Sequence, residues 1–230
     1  MIKAIMFDLD GTLIGQKKAS SMVLSQFYLE NKARFGNMEQ KEFFNNWFKA
    51  GRKNLPDFLK GEITFEDKMI TQILEFFQNS NNKIVESEAS EIFNKFLPIY
   101  EENIILFDDV IPCLEYLSRE KYQLGIITNG HSKDQREKLR RFNLEKYFPT
   151  VIISGEIGFA KPSAEIFLEC ANILKLSPNE IMYIGDMVEM DIIGANEVGI
   201  RGIWLNRESE KNHTDILSIS TLNELKNLVE

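Results

Sequence analysis

From residue 108 onward, short apolar runs alternate with amphipathic stretches, and this alternation restricts the fold more than any other feature. The runs are residues 122–128, 150–154, 181–184 and 200–205, and one more, residues 2–7, stands at the N-terminus. Each has the length and branched apolar content of a buried strand. Between them, residues 132–142, 163–176 and 191–198 repeat apolar positions every three or four residues, as helices do, and residues 109–118 and 222–229 do the same. Strands that alternate with helices need right-handed crossovers, which produce a parallel sheet covered on both faces. The expected fold is α/β, a doubly wound, Rossmann-like parallel sheet.

Residues 15–105 interrupt that alternation. They hold no convincing strand, only helical spacing: residues 21–29, then Phe43, Phe44, Trp47 and Phe48, then a helix capped by Thr64 with Ile70, Ile73, Leu74 and Phe77 on its stripe. A further helix over residues 88–100 is expected to stop near Pro98. The aromatic residues read as helix-bundle core. The expected organisation is an α/β core of residues 1–14 and 106–230 with an all-helical insert of residues 15–105.

Acidic residues number 35 against 27 basic, a net charge of −8, which disfavours a general nucleic-acid or anionic-membrane binder. Cys113 and Cys170 sit in apolar helical patterns and read as packing residues rather than a disulfide or metal pair. No apolar run approaches the ~18 residues needed to span a bilayer. Met1 leads straight into a strand, so no signal peptide is expected. A cytoplasmic monomer or homodimer is the expectation.

The strand ends carry the chemistry. Asp8-Leu9-Asp10-Gly11-Thr12-Leu13 follows the first run. Two carboxylates so close repel each other and resist burial, so a hard divalent cation would suit them. An Asx-type turn explains the same residues without a cation. The other strands end in Thr128-Asn129-Gly130, in the loop to Lys161-Pro162, and in Gly185-Asp186 with Asp191 nearby. In an open parallel sheet all these ends share the edge where ligands bind. Gly185 there suggests close backbone approach. His131 and His213 read as exposed, and the basic stretch Lys133, Arg136, Lys138, Arg140 and Arg141 as a solvated helix face.

In this order the four motifs resemble those of the haloacid dehalogenase-like (HAD) superfamily, with a helical insert placed as in members that carry a C1 cap. The second half, on residues 128–167, is most similar to pyrimidine nucleotidases and acylneuraminate-9-phosphate phosphatases. Met187 and Gly15 depart from the pattern, which often has a small hydroxyl residue and a further acid there. The resemblance implies a Mg²⁺-dependent phosphomonoester hydrolase acting on a small phosphorylated metabolite, a nucleoside monophosphate or sugar phosphate. It implies Asp8 as nucleophile, Asp10 as general acid and base, and Thr128, Asn129 and Lys161 as phosphate-binding groups. Metal ligation falls to Asp8, the Asp10 main-chain carbonyl and Asp186, with Asp191 in support. A β-phosphoglucomutase-like mutase, a phosphonatase, a dehalogenase or a non-catalytic scaffold would share the fold. Asp10 argues against a dehalogenase, and the complete acid set with Lys161 argues against a scaffold.

Overall fold

The computed structural model describes residues 1–79, 82–210, 213 and 215–229. In chain order, β1 (Ala4–Phe7) and β2 (Ile14–Gly15) precede α1 (Lys17–Phe35), α2 (Gln40–Ala50), α3 (Leu55–Lys60), α4 (Phe65–Asn79) and α5 (Glu86–Asn103). Then come β3 (Ile105–Leu106), α6 (Val110–Arg119), β4 (Gln123–Thr128), α7 (Ser132–Arg141), β5 (Thr150–Ile153), α8 (Ser154–Ile157) and α9 (Ala164–Leu174). The chain finishes with β6 (Ile181–Gly185), a π-helical turn (Val188–Ile193), α10 (Gly194–Glu197), β7 (Arg201–Leu205), β8 (Ser218–Ile219) and α11 (Lys226–Val229). Two compact units result. One comprises Met1–Gly15, Leu59–Gly61 and Leu106–Glu230, and the other Gln16–Phe58 and Glu62–Ile105.

The first unit holds a six-stranded sheet in the order β5-β4-β1-β6-β7-β8, and every pairing within it is parallel. The expected α/β class and doubly wound parallel sheet are therefore present. All four residues of β1 are fully buried, as a central strand covered on both faces requires. Ile5 and Phe7 face a core with Leu114, Leu117 and Ile184, while Ala4 and Met6 face one with Ile166, Phe167 and Tyr183. Burying each large apolar side chain contributes roughly 2 kcal/mol. From β1 the chain winds outward through β4 and β5, then returns to the far side for β6, β7 and β8. The carboxyl ends of β4, β1 and β6 thus flank the switch point, where open sheets of this kind bind ligands. Cys113 and Cys170 are buried and free, and burial pushes both thiols up to about 12.

The second unit is helical, and its core is aromatic. Phe27 lies at its centre, with the rings of Phe35, Phe43, Trp47, Phe77 and Phe96 between 5.5 and 6.1 Å away. Phe48 is the exception to the expected stripe: it points outward and is 61% exposed. Thr64 caps α4 as expected, because its hydroxyl accepts from the Asp67 N–H at 3.1 Å.

Several boundaries differ from expectation. α5 does not stop near Pro98 but runs through it to Asn103, since Phe93 and Phe96 are buried in the helical core before the missing N–H donor, and after it Ile99 packs on the same core and Tyr100 stacks on Phe65 at 5.3 Å. The helix expected over residues 191–198 is a π turn followed by α10, and the last helix splits into a 3₁₀ turn (Leu222–Glu224) and α11. β2, β3 and β8 had no counterpart in the hydrophobic pattern, because strands of two residues leave no period to read. Among the described residues, no helix is long and apolar enough to cross a membrane.

Candidate active site

Two strand ends and the turn after the second deliver the acids. Asp8 follows β1, Asp186 follows β6, and Asp191 lies in the π turn that begins two residues beyond Asp186. One carboxylate oxygen from each of Asp8, Asp186 and Asp191 lies within 4.8 Å of the others. Two glycines permit this crowding. A Cβ on Gly11, whose φ is +93°, would run into the Asp186 carboxylate, and one on Gly185 would meet that of Asp191. The Thr12 hydroxyl reaches Asp186 Oδ1 at 3.4 Å, and the Trp204 indole N–H donates to the Asp186 carbonyl at 3.0 Å.

Among the described residues, one lysine pairs with these acids from within. Lys161 Nζ donates to Asp8 Oδ1 at 2.6 Å, to Asp191 Oδ1 at 2.7 Å and to the Tyr183 hydroxyl at 2.8 Å, so all three ammonium protons are placed. The Tyr183 hydroxyl in turn donates to the Ile127 carbonyl at 2.9 Å. The Met187 N–H donates to Asp191 Oδ2 at 2.9 Å. Three carboxylates against one lysine leave an excess of negative charge in a buried place. Burial drives the Asp8 carboxyl well above the usual range, and the Asp191 and Asp186 charges add to this against the opposing pull of Lys161. Burial and the Asp191 charge likewise raise Asp186 to about 7. For Lys161, burial alone would lower the amine, but Asp191 and Asp8 outweigh it and hold the ammonium charged. Clustered hard oxygen donors with charge to spare suit a divalent cation such as Mg²⁺.

Thr128 ends β4, and its buried hydroxyl accepts from Gln135 Nε2 at 2.7 Å. The Asn129 side chain is committed to the lysine loop: Nδ2 donates to the Lys161 carbonyl at 3.0 Å, and the Lys161 N–H donates to Oδ1 at 2.8 Å. The carboxamide fixes the stretch that carries Lys161 and leaves the Asn129 main chain for other work. Asp10 accepts through Oδ2 from Gln135 Nε2 at 3.0 Å and from Lys138 Nζ at 2.6 Å. Its Oδ1 is buried without a hydrogen-bond partner among the described residues.

The haloacid dehalogenase-like hydrolase family matches residues 2–199. The chain belongs to this family of hydrolytic enzymes. It is 41% identical over 101 residues to a glyceraldehyde 3-phosphate phosphatase of Methanopyrus kandleri, a match covering 44% of this chain and 43% of that protein. It is 27% identical over 212 residues to the N-acylneuraminate-9-phosphatase of Mus musculus, covering 90% of this chain and 83% of the relative. A pyrimidine 5′-nucleotidase of Escherichia coli is 37% identical over 117 residues, 48% of this chain and 51% of that one. The crystal structure of a HAD phosphatase from Thermococcus onnurineus matches with a TM-score of 0.68 at 27% identity, covering 99% of this chain and 98% of that one. The relatives that residues 128–167 suggest are thus among the proteins this family member is similar to.

Three residues beside the family motifs escaped the sequence. Tyr183 lies inside β6 on a fully buried stripe and reads as core, yet its hydroxyl receives Lys161. Gln135 and Lys138 belong to the helix expected to show a solvated basic face. Lys138 corrects that expectation, because it turns inward to pair with Asp10. A signal for both exists: residues 135, 138, 139 and 142 share a helical stripe, and its Leu139 is buried. His213 is also not simply exposed, since it meets the Trp204 ring edge-on at 5.5 Å.

Proposed function

We propose that the chain is a Mg²⁺-dependent phosphomonoester hydrolase acting on a small phosphorylated metabolite, a sugar phosphate or a nucleoside monophosphate. The observation that carries this is the cluster of Asp8, Asp186 and Asp191 around one lysine at the switch point of the sheet. The phosphatase names of several relatives support it. Asp8, Asp186 and the Asp10 main-chain carbonyl would hold the ion. When bound, the ion supplies charge neutralisation and orientation for the phosphoryl group.

Asp8 attacks phosphorus: its carboxylate oxygen forms the new bond while the bond to the leaving oxygen breaks. Asp10 gives that oxygen a proton, then takes one from the water that hydrolyses the aspartyl-phosphate and frees Asp8. A positioned acid–base group of this kind contributes ~10²–10⁴-fold. The Thr128 hydroxyl and the Asn129 N–H hold phosphoryl oxygens. Lys161 orients Asp8 through Oδ1 and sets fixed positive charge beside the reaction, and Asp191 orients Lys161. The helical unit is assigned the part of a cap that excludes water and selects the leaving group.

The test is phosphate release from a panel of sugar phosphates and nucleoside monophosphates, with Mg²⁺ and with chelator. Release that requires Mg²⁺ is the expected result. A folded protein that releases no phosphate from any ester, or releases it equally with chelator, contradicts the proposal.

A further inference from the structure

We propose that Gln135 and Lys138 on α7 are positioning residues for Asp10, holding its carboxylate by one oxygen and leaving the other for proton transfer. The inference rests on the phosphatase proposal above and names the groups that make Asp10 serviceable in it. Both donors converge on Oδ2, at 3.0 Å from Gln135 and 2.6 Å from Lys138. Neither touches Oδ1, which is buried and has no hydrogen-bond partner among the described residues. An unpartnered buried oxygen is costly to maintain, and a free carboxylate would rotate to relieve it. Here rotation is blocked, because the donors on Oδ2 are themselves held. Lys138 Nζ also donates to Gln135 Oε1 at 2.8 Å. Gln135 is 2% exposed, and its amide reaches the Thr128 hydroxyl at 2.7 Å and the Asn129 carbonyl at 3.1 Å. The network therefore ties the acid after β1 to the phosphate-binding residues after β4, and it leaves Oδ1 as the Asp10 oxygen that no donor among the described residues occupies. Holding a reacting group in its productive orientation is worth large factors in rate, and small displacements forfeit them.

The proton path balances with Oδ1 alone. The Oδ1 proton goes to the leaving oxygen as the phosphorus–oxygen bond breaks. A water proton then returns to Oδ1 as the water oxygen bonds phosphorus and Asp8 departs.

The test compares wild type with Lys138→Met, Lys138→Arg and Gln135→Met, each shown by its melting curve to be folded, on an alkyl phosphate and on p-nitrophenyl phosphate with Mg²⁺. An alkoxide needs a proton to leave, whereas p-nitrophenolate does not. On the alkyl phosphate, kcat should fall at least ~10-fold in the two Met variants, with KM held within about twofold. On p-nitrophenyl phosphate, the first turnover should keep its rate while later turnovers slow, so that a burst of p-nitrophenolate appears. Lys138→Arg should recover part of the loss, and calorimetric Mg²⁺ affinity should match wild type in all variants. Unchanged kcat, a rise in KM alone, or equal loss in first and later turnovers would overturn the positioning role while leaving the phosphatase proposal standing. A wild-type protein that releases no phosphate would overturn both.

Discussion

Lys161 stands between two carboxylates and a tyrosine hydroxyl, and its removal should be felt twice. Lys161→Met deprives Asp8 of its orienting partner and the phosphoryl group of fixed positive charge, so kcat should fall by ~10²-fold or more in a steady-state assay. The same variant leaves buried acids without their internal cation. Asp186 offers a second check. Burial and the Asp191 charge raise it to about 7 in the folded chain, whereas an unfolded chain holds such a carboxyl near ~3.9. The folded, chelated protein therefore keeps a proton that unfolding releases. The stability that Asp186 contributes should be full below the unfolded value and lost as pH rises through about 7. Mg²⁺ displaces that proton, so added Mg²⁺ should raise the melting temperature more on the alkaline side of this window than on the acid side. Thermal melts with chelator and with Mg²⁺ across that range check the sign. At this scale the sequence was most informative where a polar residue ended an apolar run: Asp8, Thr128 and Asp186 announce themselves by breaking a strand. Tyr183 could not, because its ring packs as core and only its hydroxyl joins the site. Lys138 could not either, since a long side chain can reach inward from a helix whose composition reads as solvated.

Asp109 shows how an element can mislead. It precedes α6 and has the sequence look of a helix cap, but its side chain makes no bond to that helix. Instead it takes both terminal nitrogens of Arg207 at 2.9 Å, the Thr221 hydroxyl at 2.7 Å and the Leu222 N–H at 2.9 Å. Arg207 also donates to the Thr12 carbonyl at 3.0 Å and stacks 3.9 Å over the Phe107 ring. Partners 98 to 113 residues away are invisible to a local pattern. Burial would raise the Asp109 carboxyl, but Arg207, Thr221 and Leu222 outweigh it and hold it below its ordinary value. The stability it contributes is full above the unfolded value near ~3.9 and is lost as pH falls through the lower folded one. Asp109→Asn should cost ~3 kcal/mol in denaturant unfolding at neutral pH, as removal of one partner from a nearly buried ion pair does. The variant should also lose less stability than wild type on acidification. α5 makes the converse point: Pro98 is a breaker by local chemistry, and packed aromatic residues carried the helix past it.

Each unit keeps its own hydrophobic interior: the sheet unit packs a core on each face of its parallel sheet, and the helices inserted between β2 and β3 pack another. The alternation of strands and helices made the first legible, and the long absence of strands made the second so. The order β5-β4-β1-β6-β7-β8 was not legible, because strand neighbours are fixed by crossover geometry rather than by any one segment. If the acids at the sheet edge hold the cation, its stabilisation belongs to the sheet unit. Hydrogen exchange with and without Mg²⁺ should show added protection at the ends of β1 and β6 and in the π turn, with α1, α4 and α5 unchanged. Uniform protection throughout, or protection confined to the helices, would place the ion elsewhere.

If Asp8 is the nucleophile, Asp8→Asn should all but abolish phosphate release. It would be measured beside wild type, with Mg²⁺, on the best ester of the panel, with melting curves showing that both proteins are folded. The expected result is a fall of several orders of magnitude, since a carboxamide is a far weaker nucleophile than a carboxylate, Asp186 is assigned to the ion, and Asp191 is held by Lys161 and the Met187 N–H. A folded Asp8→Asn protein that releases phosphate at the wild-type rate would contradict it.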